Sequence, residues 1–236
     1  MKIESLIGSL TVSIVVVQSV QAQGTLQNLD FESATLTAIP SGQYGGEVPL
    51  GAALPGWDAS IGGVPVTQVL QNNITLGAAS IDILGPNWTT LGPGIIDGNY
   101  TLFLQAENSG QGKVSLWQDG LVPANAKSIH FSAWESLSTA IFSVSFAGNS
   151  LSPVVLGFGQ SVSGQTYTIY GANIAPYAGQ TGQLDFTAFG GNGPSWIELD
   201  DISFSTQSVP EPSPLVLTGI GALVFALYRR FAPKRP

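Results

Sequence analysis

The chain has no cysteine in its 236 residues, and only one histidine and one methionine. Without cysteine there is no disulfide framework, no thiolate nucleophile and no cysteine-ligated zinc or iron–sulfur centre. His130 is the single imidazole, so a zinc site built on several histidines is excluded and a serine triad would have to use that one residue. Basic residues are almost as scarce. Seven lysines and arginines stand against fifteen acids, for a formal net charge of −8. Between residues 23 and 208 the imbalance is steeper, thirteen acids against Lys113 and Lys127 alone. Such a surface repels phosphate backbones and anionic headgroups, which excludes a nucleic-acid partner and favours cations and neutral partners. No Gly-x-Ser-x-Gly elbow and no phosphate-cradling glycine loop between strand and helix occurs. Carboxylates suited to glycoside hydrolysis are plentiful, but the sequence does not set two of them across a cleft. The expectation is a protein that is not an enzyme.

What is present begins at the two ends. Lys2 precedes an apolar run over residues 6–17, and Val20-Gln21-Ala22 has the small −3/−1 residues of a signal-peptidase site. Residues 1–22 therefore read as a signal peptide that signal peptidase removes, with Glu4 an uncommon acid in such a leader. At the other end, residues 209–214 read Val-Pro-Glu-Pro-Ser-Pro, residues 215–228 carry no charge, and Arg229, Arg230, Lys234 and Arg235 follow. Pro210 and Pro212 disfavour helix before them and keep the approach extended. Residues 215–228 would rise only about 21 Å as a helix, short of the roughly 30 Å hydrocarbon core. Extension to about 214–232, with snorkelling arginines, makes a single thin transmembrane helix. The basic end belongs in the cytoplasm and the rest of the chain outside.

Pro210-Glu211-Pro212, the apolar segment and the terminal Arg229-Arg230 together resemble the PEP-CTERM sorting domain read by exosortase, a membrane protease-transpeptidase. The resemblance covers residues 209–236. It implies an exosortase partner, an inner-membrane-anchored precursor, cleavage near Pro212 and delivery of the body to the cell surface or extracellular matrix. An ordinary anchor on a proline-rich stalk is the alternative.

Residues 23–208 carry short alternating runs and almost no helical period. Tyr100-Leu102-Leu104, Val114-Leu116, Ile129-Phe131-Ala133, Phe142-Val144-Phe146, Tyr167-Ile169 and Leu184-Phe186-Ala188 each alternate with polar or small residues, the period of half-buried strands. Glycine, asparagine and proline clusters separate them. The glycine- and proline-rich stretch 42–63 reads as long loops. Many short strands at this spacing predict an all-β, antiparallel β-sandwich. Asn28 with Phe31-Glu32, then Pro55-Gly56-Trp57, then Leu199-Asp200-Asp201-Ile202 resemble the galactose-binding-like jelly rolls, which include several carbohydrate-binding module families. That resemblance implies a jelly-roll topology.

Two candidate sites follow. Ile197 and Leu199 share one parity while Ile202 and Phe204 share the other, so a strand burying all four needs an extra residue at Asp200-Asp201. Carboxylates at such an irregularity suit a hard cation. In the modules resembled, a first-strand acid and a last-strand aspartate hold a structural calcium, which implies Glu32, Asp200 and Asp201 as ligands. A solvated acidic pair capping the sheet edge is the other reading. The second site concerns sugars. With Val114 and Leu116 inward, Trp117 faces away from the core, and with Ile129, Phe131 and Ala133 inward, so do His130 and Trp134. Aromatic faces pack against pyranose C–H faces while polar neighbours bond the hydroxyls. Trp117, His130 and Trp134 are the candidate platform for an extracellular polysaccharide, and Trp88 in a glycine-rich loop is a further exposed candidate. Trp57 and Trp196 read as structural.

Overall fold

The computed structural model describes residues 25–209 apart from 74, 89–91, 93, 108–111, 136–140 and 191–194. The expected signal peptide at 1–22 and the sorting residues Pro210, Glu211, Pro212, Arg229 and Arg230 lie outside the described residues. Among the described residues no helix is long and apolar enough to cross a membrane.

The chain is mostly β-sheet. In order, its strands are β1 (Glu47–Pro49), β2 (Asp58–Ile61), β3 (Val64–Pro65), β4 (Gln68–Gln71), β5 (Ser80–Leu84), β6 (Thr101–Ala106) and β7 (Val114–Leu121). There follow β8 (Ser128–Glu135), β9 (Ile141–Phe146), β10 (Asn149–Leu151), β11 (Val154–Gln160), β12 (Thr166–Asn173), β13 (Thr181–Phe189) and β14 (Ser195–Ser205). A one-turn helix α1 (Leu50–Ala53) sits after β1, so the stretch expected to be loop carries short elements. The strands form two sheets, β1-β4-β5-β6-β14-β8-β12-β11 and β10-β9-β13-β7-β2-β3.

The two sheets pack as a sandwich because alternate residues of each are apolar. Leu102, Leu104, Ile129, Phe131, Ile197 and Leu199 of the larger sheet meet Val114, Leu116, Val144, Leu184 and Phe186 of the smaller in one buried cluster. Phe131 and Phe186 touch edge to face across the interface at 5.6 Å between ring centres, a geometry that adds to simple area burial. Two details differ from the expected pattern. β4 and β5 run parallel, so the sandwich is not wholly antiparallel. In β12 the inward residues are Tyr170, stacked on Phe131, and Ala172, so the Tyr167-Ile169 pair faces out. Both phases of that strand are apolar, and sequence alternation alone does not choose between them.

The last strand behaves as its parity requires. Ile197 and Leu199 are buried before the irregularity and Ile202 after it, and the register against β8 shifts between Asp200 and Ser203. Asp201 takes φ of +49°, the left-handed turn that a bulged residue adopts.

Candidate functional site

The outer face of the six-stranded sheet is built in rows. Cross-strand neighbours share a face about 5 Å apart. Trp117 of β7 pairs with Asp58 of β2 on one side and Asp185 of β13 on the other, and Asp185 pairs in turn with Ser145 of β9. The adjacent row is Ser60, Ser115, Thr187 and Ser143. A third row pairs Asp119 with Gln183. The face is thus a half-buried indole between two carboxylates, beside a row of small hydroxyls of which Ser60, Ser115 and Thr187 are buried. Its polar atoms are already ordered. Thr187 Oγ1 donates to Asp185 Oδ1 at 2.7 Å, so its lone pairs accept from Ser115 Oγ at 2.6 Å. That chain fixes the Asp185 carboxylate and leaves Asp185 Oδ2 and the exposed Asp58 to accept other donors.

The tryptophans separate by what their rings touch. Trp57 packs against Phe31 and Phe186, Trp88 against Tyr44, and Trp196 against Phe103. Among the described residues Trp117 and Trp134 meet no aromatic ring, and both are half-buried. They are two of the candidates named from sequence, but they do not form one platform. β7 belongs to the six-stranded sheet and β8 to the eight-stranded sheet, so Trp117 faces one way out of the sandwich while His130 and Trp134 face the other. Alternation marks which residues turn from the core, not which sheet their strand joins. His130 Nε2 is bonded to Ser128 Oγ at 2.9 Å, and Ser128 Oγ donates to the Gln207 carbonyl at 2.7 Å, so the imidazole braces the segment just after β14. Trp88 is 7% exposed and packs with Leu84, Ile95 and Phe103 in a second apolar cluster, which corrects its reading as an exposed ring. Its edge lines a cleft of about 370 Å³ together with Asn87, Ile95, Asn99 and Val162.

On the outer face of the eight-stranded sheet, β14 is covered by Gly92, Gly94 and Asp97 of the β5–β6 connection. Gly92 approaches Glu198 so closely that a Cβ there would lie 1.8 Å from Glu198 Oε1. Asp97 N–H donates to Asp200 Oδ2 at 3.2 Å, and Val162 N–H to the Ile95 carbonyl at 3.1 Å. Glu198 is fully buried beside Trp134 in register, and among the described residues neither carboxyl oxygen has a hydrogen-bond partner. Burial pushes its pKa up to about 9, with the Gly94 N–H drawing it back from beyond normal hydrogen-bond geometry. Asp200 is pushed up to about 8 by burial, partly offset by the Thr101 hydroxyl at 2.6 Å and the Asp201 and Asp97 amides. Thr101, which sequence reading passed over, is the residue that anchors this aspartate.

Glu32 does similar work at the same end. Its oxygens accept from Asn99 N–H at 2.7 Å, Asn99 Nδ2 at 2.9 Å and Tyr100 N–H at 2.8 Å. The three acids named as calcium ligands therefore share one end of the sandwich with Asp97. Asp201 is pushed up by burial and then by repulsion from Asp97 and Asp30, with His130 pulling it back. Among the described residues no three acids or imidazoles converge closely enough to hold a metal ion.

No family model and no curated protein matches the chain. Among solved structures, TmCBM61 in complex with beta-1,4-galactotriose aligns over 79% of this chain and all of its own, at 15% identity and a TM-score of 0.40. The family 11 carbohydrate-binding module from Clostridium thermocellum, in complex with a beta-1,3-1,4-mixed-linked tetrasaccharide, aligns over 72% of this chain and all of its own. Its identity is 9% and its TM-score 0.35. Tailspike protein 4 of bacteriophage CBA120 aligns over 64% of this chain and 19% of its own, at 11% identity and a TM-score of 0.36. Superpositions this loose assign neither fold nor ligand to the present chain.

Proposed function

We propose that this protein is a non-catalytic, polysaccharide-binding jelly-roll sandwich of the cell surface or extracellular matrix, and that the outer face of the six-stranded sheet is its binding surface. The observation that carries the reading is Trp117, a ring without an aromatic partner among the described residues, set in register between Asp58 and Asp185 beside a row of hydroxyls. An indole face takes the C–H face of a pyranose, and flanking carboxylates accept from its hydroxyls. Both carboxylates repel uronate or sulfate groups, so the partner is a neutral glycan. Export through the signal peptide, a transient membrane anchor and exosortase processing at Pro210-Glu211-Pro212 belong to the same proposal. They are tested by the C-terminal peptide of the mature protein with and without exosortase. A calcium ion at Glu32, Asp200 and Asp201 would have to draw these side chains closer than they stand, since among the described residues no three of them converge; a melting temperature unmoved by calcium or chelator removes it.

The binding test is affinity electrophoresis of the chain recovered from cells, in gels carrying neutral polysaccharides. A buried aromatic anchor is worth about 2 kcal/mol or more, roughly 30-fold in affinity. Trp117→Ala is expected to abolish retardation, Asp185→Asn to weaken it, and Trp134→Ala, on the other sheet, to leave it intact. Wild-type protein that no neutral polysaccharide retards, or Trp117→Ala that is retarded equally, rejects the assignment.

A further inference from the structure

Four strands end the two sheets, and three of them are blunted. β1 has three residues and carries Glu47 and Pro49, β3 has two and ends in Pro65, and β10 has three. Shortness, charge and proline are how a sheet edge avoids pairing with another chain. β11 has none of these protections. Its seven residues, Val-Val-Leu-Gly-Phe-Gly-Gln, contain no charge and no proline, and among the described residues it pairs with β12 on one side only. Val155 and Phe158 are 55% and 70% exposed, and Val162 just beyond the strand is 72% exposed. The one irregularity is a register shift between Val155 and Gly157, which leaves Gly157, Phe158, Gly159 and Gln160 in continuous register.

The charge distribution says what covers this edge. From residue 136 to residue 184, a run of 49, there is no Asp, Glu, Lys or Arg. That run supplies β9, β10, β11 and β12, which together form one flank of the sandwich. Every acid of the strongly anionic body lies elsewhere in sequence. Two copies of so acidic a molecule repel each other across most of their surfaces, and this flank, where Glu135 beside Tyr170 is the acid in contact with β12, is where they meet with the fewest like charges opposed. An antiparallel edge also complements itself, because a two-fold axis presents the same donors and acceptors to each copy.

We propose that β11 is a homodimerisation edge, along which two copies pair antiparallel and join their eight-stranded sheets into one. The free backbone N–H and C=O groups of Val154–Gln160 close onto their equivalents in the second copy, and Phe158 and Val155 are buried between them. The absence of cysteine makes the test direct. Single cysteines are placed one at a time from Val154 to Gln160 in the full-length chain, with Val64→Cys on β3 as the control, and oxidised in mild detergent. An antiparallel self-pair brings only the residue at the two-fold axis against itself, within disulfide reach. A sharp maximum of crosslinked dimer at one position, far above Val64→Cys, is expected. Sedimentation of the unoxidised chain is expected to give a dimer that Phe158→Lys converts to monomer with unchanged circular dichroism. A wild-type monomer overturns the proposal. So does a dimer that survives both Phe158→Lys and Val155→Lys, or a cysteine scan with no position above the control.

Discussion

At the scale of single residues, the buried acids set how this protein responds to pH. Burial holds Asp82 well above the usual carboxylate range, and the Asn73 and Asn72 amides offset only part of that. The unfolded chain releases this proton near pH 4 and the folded chain keeps it, so the unfolded state binds fewer protons in between. Stability is therefore greatest below the ordinary carboxylate pKa and falls as pH rises, by up to about 1.4 kcal/mol per pH unit for this group. Asp82→Asn removes the ionisation, and melting temperatures taken from about pH 4 to about pH 8 should decline less steeply than in wild type. An equal slope would show that Asp82 ionises freely in the folded protein. Gly92 poses a steric version of the same problem. With φ of +62° and Glu198 Oε1 pressed against it, Gly92→Ala combines backbone strain with a clash and should cost about 1–3 kcal/mol in urea unfolding. In a Glu198→Ala background the clash is gone, and the penalty should shrink to about 1 kcal/mol of backbone strain.

At the scale of elements, much of the sandwich was legible, and the reasons for the misses differ. The bulge in β14 was readable because Ile197, Leu199 and Ile202 are all core residues on incompatible parity, and only an extra residue reconciles them. β7, β8 and β13 were readable because one phase of each is apolar and the other polar. β5 was not, since Ser80–Leu84 is buried on both faces and shows no alternation. Nor was the partition of strands between sheets, which is why Trp117 and Trp134 were expected together. They lie on strands consecutive in the chain, and nothing local reports that the connection through residues 122–127 crosses from one sheet to the other. The candidate surface was half legible: Trp117 could be named from the alternation of β7, but Asp58 and Asp185 become its neighbours only through pairings distant in sequence. The bulge also offers a test. A β-branched side chain is poorly tolerated at positive φ, so Asp201→Val should destabilise by about 1–3 kcal/mol in denaturant, whereas Asp201→Gly should not. Similar losses for both would place the role of Asp201 in its carboxylate instead of its backbone.

At the scale of the whole molecule, the surfaces divide by chemistry. One sheet face offers an indole among acids and hydroxyls, the other covers buried carboxyls, and the strands β9–β12 along one flank contain no charged residue. If β11 joins two copies, each dimer presents two Trp117 surfaces, and a polymer spanning both would be held more tightly than by either alone. The charge imbalance makes a further demand on the ligand. A neutral glycan held by stacking and hydrogen bonds releases no counterions, so its retention should change little with salt. A polyanion approaching thirteen acids and two bases meets repulsion whose range shrinks from about 30 Å at 0.01 M salt to about 8 Å at 0.15 M. Retention of a neutral polysaccharide and of a uronate polymer, measured across that range, should therefore diverge most at low salt, with the uronate excluded. A uronate polymer retained best at the lowest salt would mean that Lys113, on the Trp117 face, governs binding instead of the carboxylates beside it.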